Sequence, residues 1–168
     1  RFGSIALLLM AFALLGASPA FAIGSDEKSP EEKAAEDTRK ATSAYNDGVR
    51  RIDRAREIGL KGDSAYAYNY RATSDAKARK EYEKAASDFQ KALKLKPEMK
   101  EAHNNLGYCL RKLGKLDESL AAYYKAIALD SNFAQAREYR AETYLALGQP
   151  ARAEAELKYL QDLKSPYA

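Results

Sequence analysis

Phe89-Gln-Lys-Ala92-Leu-Lys-Leu95-Lys-Pro97 and Tyr123-Tyr-Lys-Ala126-Ile-Ala-Leu129-Asp-Ser131 match column by column at a spacing of 34 residues. In the same register Ala85, Ser119 and Ala153 align, then Leu95, Leu129 and Leu163, and Gly114 aligns with Gly148. Self-similarity in this range of periods marks a stack of one supersecondary unit. Such a unit cannot bury its apolar face alone. Neighbours must stack into an extended array, which offers a concave surface and no deep catalytic pocket.

The unit itself reads as two antiparallel helices. Within Glu101–Leu113, residues Ala102, Leu106, Cys109, Leu110 and Leu113 recur at helical spacing. Gly114 then ends the helix, as a residue tolerant of positive φ does. Gly148-Gln149-Pro150 is a sharper boundary: Gly closes one helix, and Pro opens the next in its first turn, where a missing N–H costs nothing. Gly107, Ser119, Ala126 and Ala141 are small where helices would cross closely.

Further residues carry a family likeness. The first helix of the unit at Lys100–Asn132 has His103, Leu106-Gly107 and Leu110; its second helix has Ser119, Tyr123, Ala126 and Ser131. The helix before it has Ala85, Phe89, Ala92 and Pro97. From Glu81 to Leu163 the chain therefore resembles the tetratricopeptide repeat (TPR) family. The unit from Ala134 departs from the pattern, with Arg137 and Arg140 where Trp and Leu are usual and Ala141 in place of Gly. Tyr144, Gly148, Ala153 and Leu157 keep the register. The resemblance implies an all-α fold, a short right-handed α-solenoid of about three antiparallel helix hairpins near residues 38–96, 100–131 and 134–164. The last helix, Ala151–Leu163, is expected to bury Ala153, Leu157 and Leu160.

The first hairpin is enlarged. Ala41, Ala44, Tyr45, Val49, Ile52, Ala55 and Ile58 follow one helix face from Thr38, yet the 34-residue register would place that helix at Tyr66–Lys80. An insertion of about 15–20 residues must separate its two helices. Either both helices run past the usual turn, or Asp63–Ser74 forms an ordered loop. Inside the insertion, Tyr66, Tyr68 and Tyr70 alternate. They make an aromatic strip able to bind peptides or glycans, or they begin a long second helix.

Residues 1–22 are a different material. Ile5–Leu15 is an apolar run, Gly16-Ala-Ser-Pro19 breaks it, and Ala20-Phe21-Ala22 places small residues where a signal peptidase reads. This is read as a secretory signal peptide, cleaved after Ala22, from a chain whose first residues are missing. The run falls short of the roughly 20 residues a membrane span needs, although an uncleaved anchor is the alternative. Residues 23–37 read as a charged linker, residues 38–164 as the helical domain and residues 165–168 as a tail.

No catalytic chemistry is legible. There is one His and one Cys, so no internal disulfide forms. His103 and Cys109 lie on one helix, about 240° apart around its axis. His103 reads as a packing residue and Cys109 as a small core residue. Metal, phosphate-loop and nucleophile-elbow motifs are absent from the sequence. A formal net charge of +4 is no nucleic-acid footprint.

What remains is a non-catalytic protein–protein interaction module of a bacterial cell envelope, periplasmic or secreted, with no cofactor, no metal and no stable membrane insertion after cleavage. Its ligand is expected to be a peptide or partner loop. In the repeat family the first helices line the concave face, which implies contact through Asn104, Asn105, Tyr108, Lys112, Gln135, Glu138, Tyr139 and Glu142, read as lying outside the core. A carboxylate clamp of the family's kind is not supported, because Asn105 alone matches while Gln135, Tyr139, Tyr45 and Val49 differ. The alternative function is a cell-wall or glycan-associated accessory protein that uses Tyr66, Tyr68 and Tyr70.

Overall fold

The computed structural model describes residues 28–59, 73 and 75–163. The segment read as a signal peptide, the strip Tyr66, Tyr68 and Tyr70, almost all of Asp63–Ser74 and the tail 165–168 lie outside them. Six helices make up the described residues: α1 Pro30–Gly59, α2 Ala76–Leu95, α3 Lys100–Lys112, α4 Leu116–Leu129, α5 Ala134–Ala146 and α6 Pro150–Asp162. Consecutive pairs form three hairpins, and each hairpin packs on the next. The all-α array expected from the period is the fold. The first hairpin is the large one, with helices of 30 and 20 residues against 13 or 14 in the others.

The 34-residue period is repeated in the backbone, bond by bond. Gly114 N donates to Arg111 O and Lys115 N to Leu110 O, both at 2.9 Å. One period on, Gly148 N donates to Leu145 O at 3.0 Å and Gln149 N to Tyr144 O at 2.8 Å. The two glycines have φ of 79° and 69°, the left-handed region in which a Cβ is strained. Pro150 occupies the first turn of α6.

One boundary differs from expectation. The charged segment to Asp37 is not all linker, because α1 begins at Pro30. Ser29 N donates to Glu32 Oε2 at 2.9 Å and Glu32 N donates to Ser29 Oγ at 3.1 Å. This reciprocal box, with Pro in the first turn, satisfies the free amides of the helix start. At α2, Asp75 does the same work, accepting from Lys77 N and Ala78 N at 2.8 Å.

The core is thickest in the first hairpin and where α3 meets it. Ile52, Ala55, Tyr82, Ala85, Phe89 and Cys109 are buried there. Gly48 lets α1 approach α2, since a Cβ on it would lie 2.8 Å from the Phe89 ring. Tyr123, Ala126, Ile127 and Ala136 form a smaller cluster between α4 and α5. A third joins Leu120, Tyr144 and Ala153.

The last hairpin relies more on charge. Glu156 of α6 is 8% exposed and accepts from Arg137 Nη1 at 3.0 Å and from Arg140. The Arg137 guanidinium lies 3.5 Å from the Tyr159 ring centroid, and that of Arg140 lies 4.7 Å from Tyr124. Stacked and paired arginines thus fill positions usually held by Trp and Leu. Of the three residues expected to be buried on α6, Ala153 and Leu160 are, but Leu157 is 42% exposed and Glu156 takes the inner position. Leu157 aligns with Tyr123, which α5 helps to cover; among the described residues no seventh helix covers Leu157.

Candidate functional site

The first helices of the three hairpins, α1, α3 and α5, touch one another in turn along one face of the array, the face expected from the repeat family to be the inner one. Short polar side chains at matching heights on neighbouring helices can reach one another, and here they do so across all three. On α3, Asn105 Nδ2 donates to the Tyr45 hydroxyl of α1 at 3.2 Å. Beside it, Asn104 Nδ2 donates to Asn105 Oδ1 at 3.3 Å and to Gln135 Oε1 of α5 at 3.2 Å. Gln135 Nε2 donates in turn to the Tyr139 hydroxyl at 3.4 Å. Tyr45, Asn105, Asn104, Gln135 and Tyr139 therefore form one unbroken hydrogen-bonded strip. Asn104 Oδ1 is buried with no hydrogen-bond partner among the described residues.

One turn further along α3, cations converge on an aromatic ring. Arg56 Nε donates to the Tyr108 hydroxyl at 3.1 Å, and its guanidinium lies 4.9 Å from the ring centroid. Arg111 and Lys112 approach the same ring at 5.6 and 5.7 Å. Tyr139 and Tyr82 flank it, with centroids 5.4 and 6.0 Å away. Arg111 also pairs with Glu142 of α5 at 2.6 Å. Thr73 N donates to Lys112 O at 3.0 Å, which fastens the approach to α2 onto the end of α3.

The electrostatics follow from this crowding. Burial holds the Tyr45 and Tyr139 hydroxyls above their ordinary values. Burial also raises Glu142, against the pull of Arg111, and raises Glu138, with Glu142 adding to the effect. The Cys109 thiol is fully buried and pushed up by desolvation, which suppresses the thiolate form. His103 points away from this face, with Nε2 2.8 Å from Pro97 O, and burial lowers its basicity. The reachable groups on this face are thus amides, a phenol hydroxyl and carboxylates, which can hydrogen-bond a peptide backbone, while the Arg111 and Lys112 cations are buried beneath them.

The eight residues expected to face a ligand divide. Asn105, Gln135, Glu138, Tyr139 and Glu142 are half-buried and reachable. Asn104, Tyr108 and Lys112 are 1%, 6% and 1% exposed, so the reading that put them outside the core is corrected. Adjacent helices stand so close that side chains between them cover each other. Arg56 and Arg111 belong to the cluster and were missed. Arg111 carried a signal in its three-residue spacing from Tyr108. Arg56 carried none, because in the register set by Gly48 it lies beyond the length that the first helices of the other hairpins share.

A family model for the tetratricopeptide repeat matches residues 70–132, and a second for the same repeat matches residues 122–155. Residues 70–155 are tetratricopeptide repeats. Both inner-face TPR helices that carry the strip's amides, α3 and α5, fall inside this span, whereas α1 precedes it. Among solved structures, an aspartate-to-lysine mutant of MamA is similar over 80% of this chain and 99% of its own, at 16% identity and a TM-score of 0.43. No curated protein matches the chain. The TPR assignment stands on the repeat matches and the helix hairpins.

Proposed function

We propose that the chain is a non-catalytic protein–protein interaction module of a bacterial cell envelope, which holds an extended peptide or partner loop on its inner face. The repeats themselves support the general role, since TPR domains typically bind other proteins. The single observation behind the site is the hydrogen-bonded strip from Tyr45 to Tyr139, which spans all three hairpins. Amide side chains can exchange these internal bonds for bonds to a peptide backbone at little net change, while Tyr139 offers apolar area with few rotatable bonds. The export reading rests on Ile5–Leu15 and Ala20-Phe21-Ala22.

The test is the double variant Asn105→Ala with Gln135→Ala. Both residues are half-buried, so helicity should persist, whereas Tyr139 packs against Tyr108 and Tyr123 and is a poor choice. Capture of the partner from envelope extract should weaken tenfold or more, about 1.4 kcal/mol. Undiminished capture by the folded double variant would sink this reading. Sedimentation with peptidoglycan in place of a protein partner would favour the glycan role instead.

A further inference from the structure

We infer that the outward side of the third hairpin, formed by α5 and α6 and uncovered among the described residues, is a docking face for a basic amphipathic helix. The period supplies the argument. Glu138, Ala141, Glu142, Leu157 and Leu160 line a groove of about 440 Å³ on this face. Moved back by 34 residues they become Asn104, Gly107, Tyr108, Tyr123 and Ala126, all of them buried. In the second hairpin this is the surface on which α5 sits. The same face of the third hairpin is uncovered among the described residues: Leu145 is 53% and Leu157 42% exposed, where Arg111 and Tyr123 are 2% and 0%.

The same register gives the occupant's chemistry, because each contact of α5 has a successor. Asn104 meets Gln135 at 3.2 Å, and Glu138 stands in the place of Asn104. Tyr108 stacks on Tyr139 at 5.4 Å, and Glu142 stands in the place of Tyr108. Arg111 pairs with Glu142 at 2.6 Å, and Leu145 stands in the place of Arg111. The occupant therefore needs a cation, a second cation four residues on, and an apolar residue three further. Burial raises both Glu138 and Glu142, so they gain from an added cation.

A second copy fits poorly. Aligned on Gly48, the positions of α1 that correspond to Ala136, Tyr139, Arg140 and Thr143 hold Ser43, Asn46, Asp47 and Arg50, a polar face that cannot seat on leucines. A two-fold pairing of this face with itself would bring Glu138, Glu142 and Glu154 against their own copies.

The probe is a labelled peptide of residues 133–149 carrying Gln135→Lys, Tyr139→Arg and Glu142→Leu, with the unaltered peptide as control. By fluorescence anisotropy the altered peptide should bind at least tenfold more tightly, and weaken with added salt. Binding should be lost in Leu157→Glu, a change at an exposed position, and kept in Asn105→Ala. Absence of binding, equal binding of both peptides, or full binding by a helical Leu157→Glu chain would overturn the assignment. So would a dimer in sedimentation that Leu157→Glu dissolves, which would give this face to a second copy.

Discussion

Gly107 of α3 lies directly under the ring of Tyr123 of α4: a Cβ placed on the glycine would stand 2.6 Å from the ring. Ser119 Oγ donates to Gly107 O at 2.8 Å and pins the crossing. Tyr123 is fully buried and cannot swing aside. The overpacking in Gly107→Ala costs about 1–3 kcal/mol, partly offset by about 1 kcal/mol of better helix propensity. A net loss of about 1 kcal/mol is expected in urea unfolding. The third hairpin carries Ala141 and Leu157 at these positions. Adding Tyr123→Leu should therefore show a favourable coupling with Gly107→Ala, and strict additivity in the double-mutant cycle would refute the steric account.

Glu156 holds α5 to α6 through Arg137 and Arg140. Replacing it with Gln leaves Arg140 buried beside a neutral partner. Breaking a fully buried pair costs about 3–5 kcal/mol. Gln still accepts one hydrogen bond and Arg140 still stacks on Tyr124, so a loss of about 2 kcal/mol is expected. Amide exchange should accelerate first in α5 and α6 and leave α1 and α2 unchanged. Unchanged stability would show that stacking alone holds this hairpin.

The chain has one histidine, so its ring resonances are unambiguous. Burial lowers the basicity of His103 below the ordinary value of 6.5. A lowered value in the folded state means that the unfolded chain binds the proton more readily below pH 6.5. This contribution to stability is fully present above pH 6.5 and is lost as pH falls through the lower folded value. NMR titration should place the midpoint below 6.5. A midpoint at or above 6.5 contradicts the burial argument.

Glu138 runs the other way. Its carboxyl is raised by burial and by Glu142, so ionisation at neutral pH works against the fold. The favourable state is fully present below the unfolded value near 4.5 and is lost as pH rises through the folded value. Glu138→Gln should raise the melting temperature at pH 7 and leave it unaltered near pH 3.5. A lower melting temperature at pH 7 would mean that Glu138 has a stabilising partner.

Local chemistry was legible in the sequence, and mutual burial was not. Gly114, Gly148 and Pro150 mark real boundaries because positive φ and the first-turn position are decided by the residue itself. Ser29-Pro30-Glu31-Glu32 was equally readable as a capping box, but the surrounding charge drew attention to a linker. The burial of Asn104, Tyr108 and Lys112 depends on how close α1 and α5 approach α3, which no single helix records. Leu157 and Glu156 exchanged roles for a related reason. Periodicity along α6 says which residues share a face, but the neighbouring helices decide which face is covered.

The opening of α1 has a mechanical consequence. From Lys28 to Lys40 every side chain is exposed or half-buried, and Ala41 is the first to be buried. The eleven helical residues before Ala41 extend about 16 Å at 1.5 Å each. Lys40 and Lys28 both grip Glu36, which splints these turns from outside. The segment is an outrigger of the packed array: a pull applied at Pro30 would act along the same unbroken helix that carries Tyr45 and Arg56.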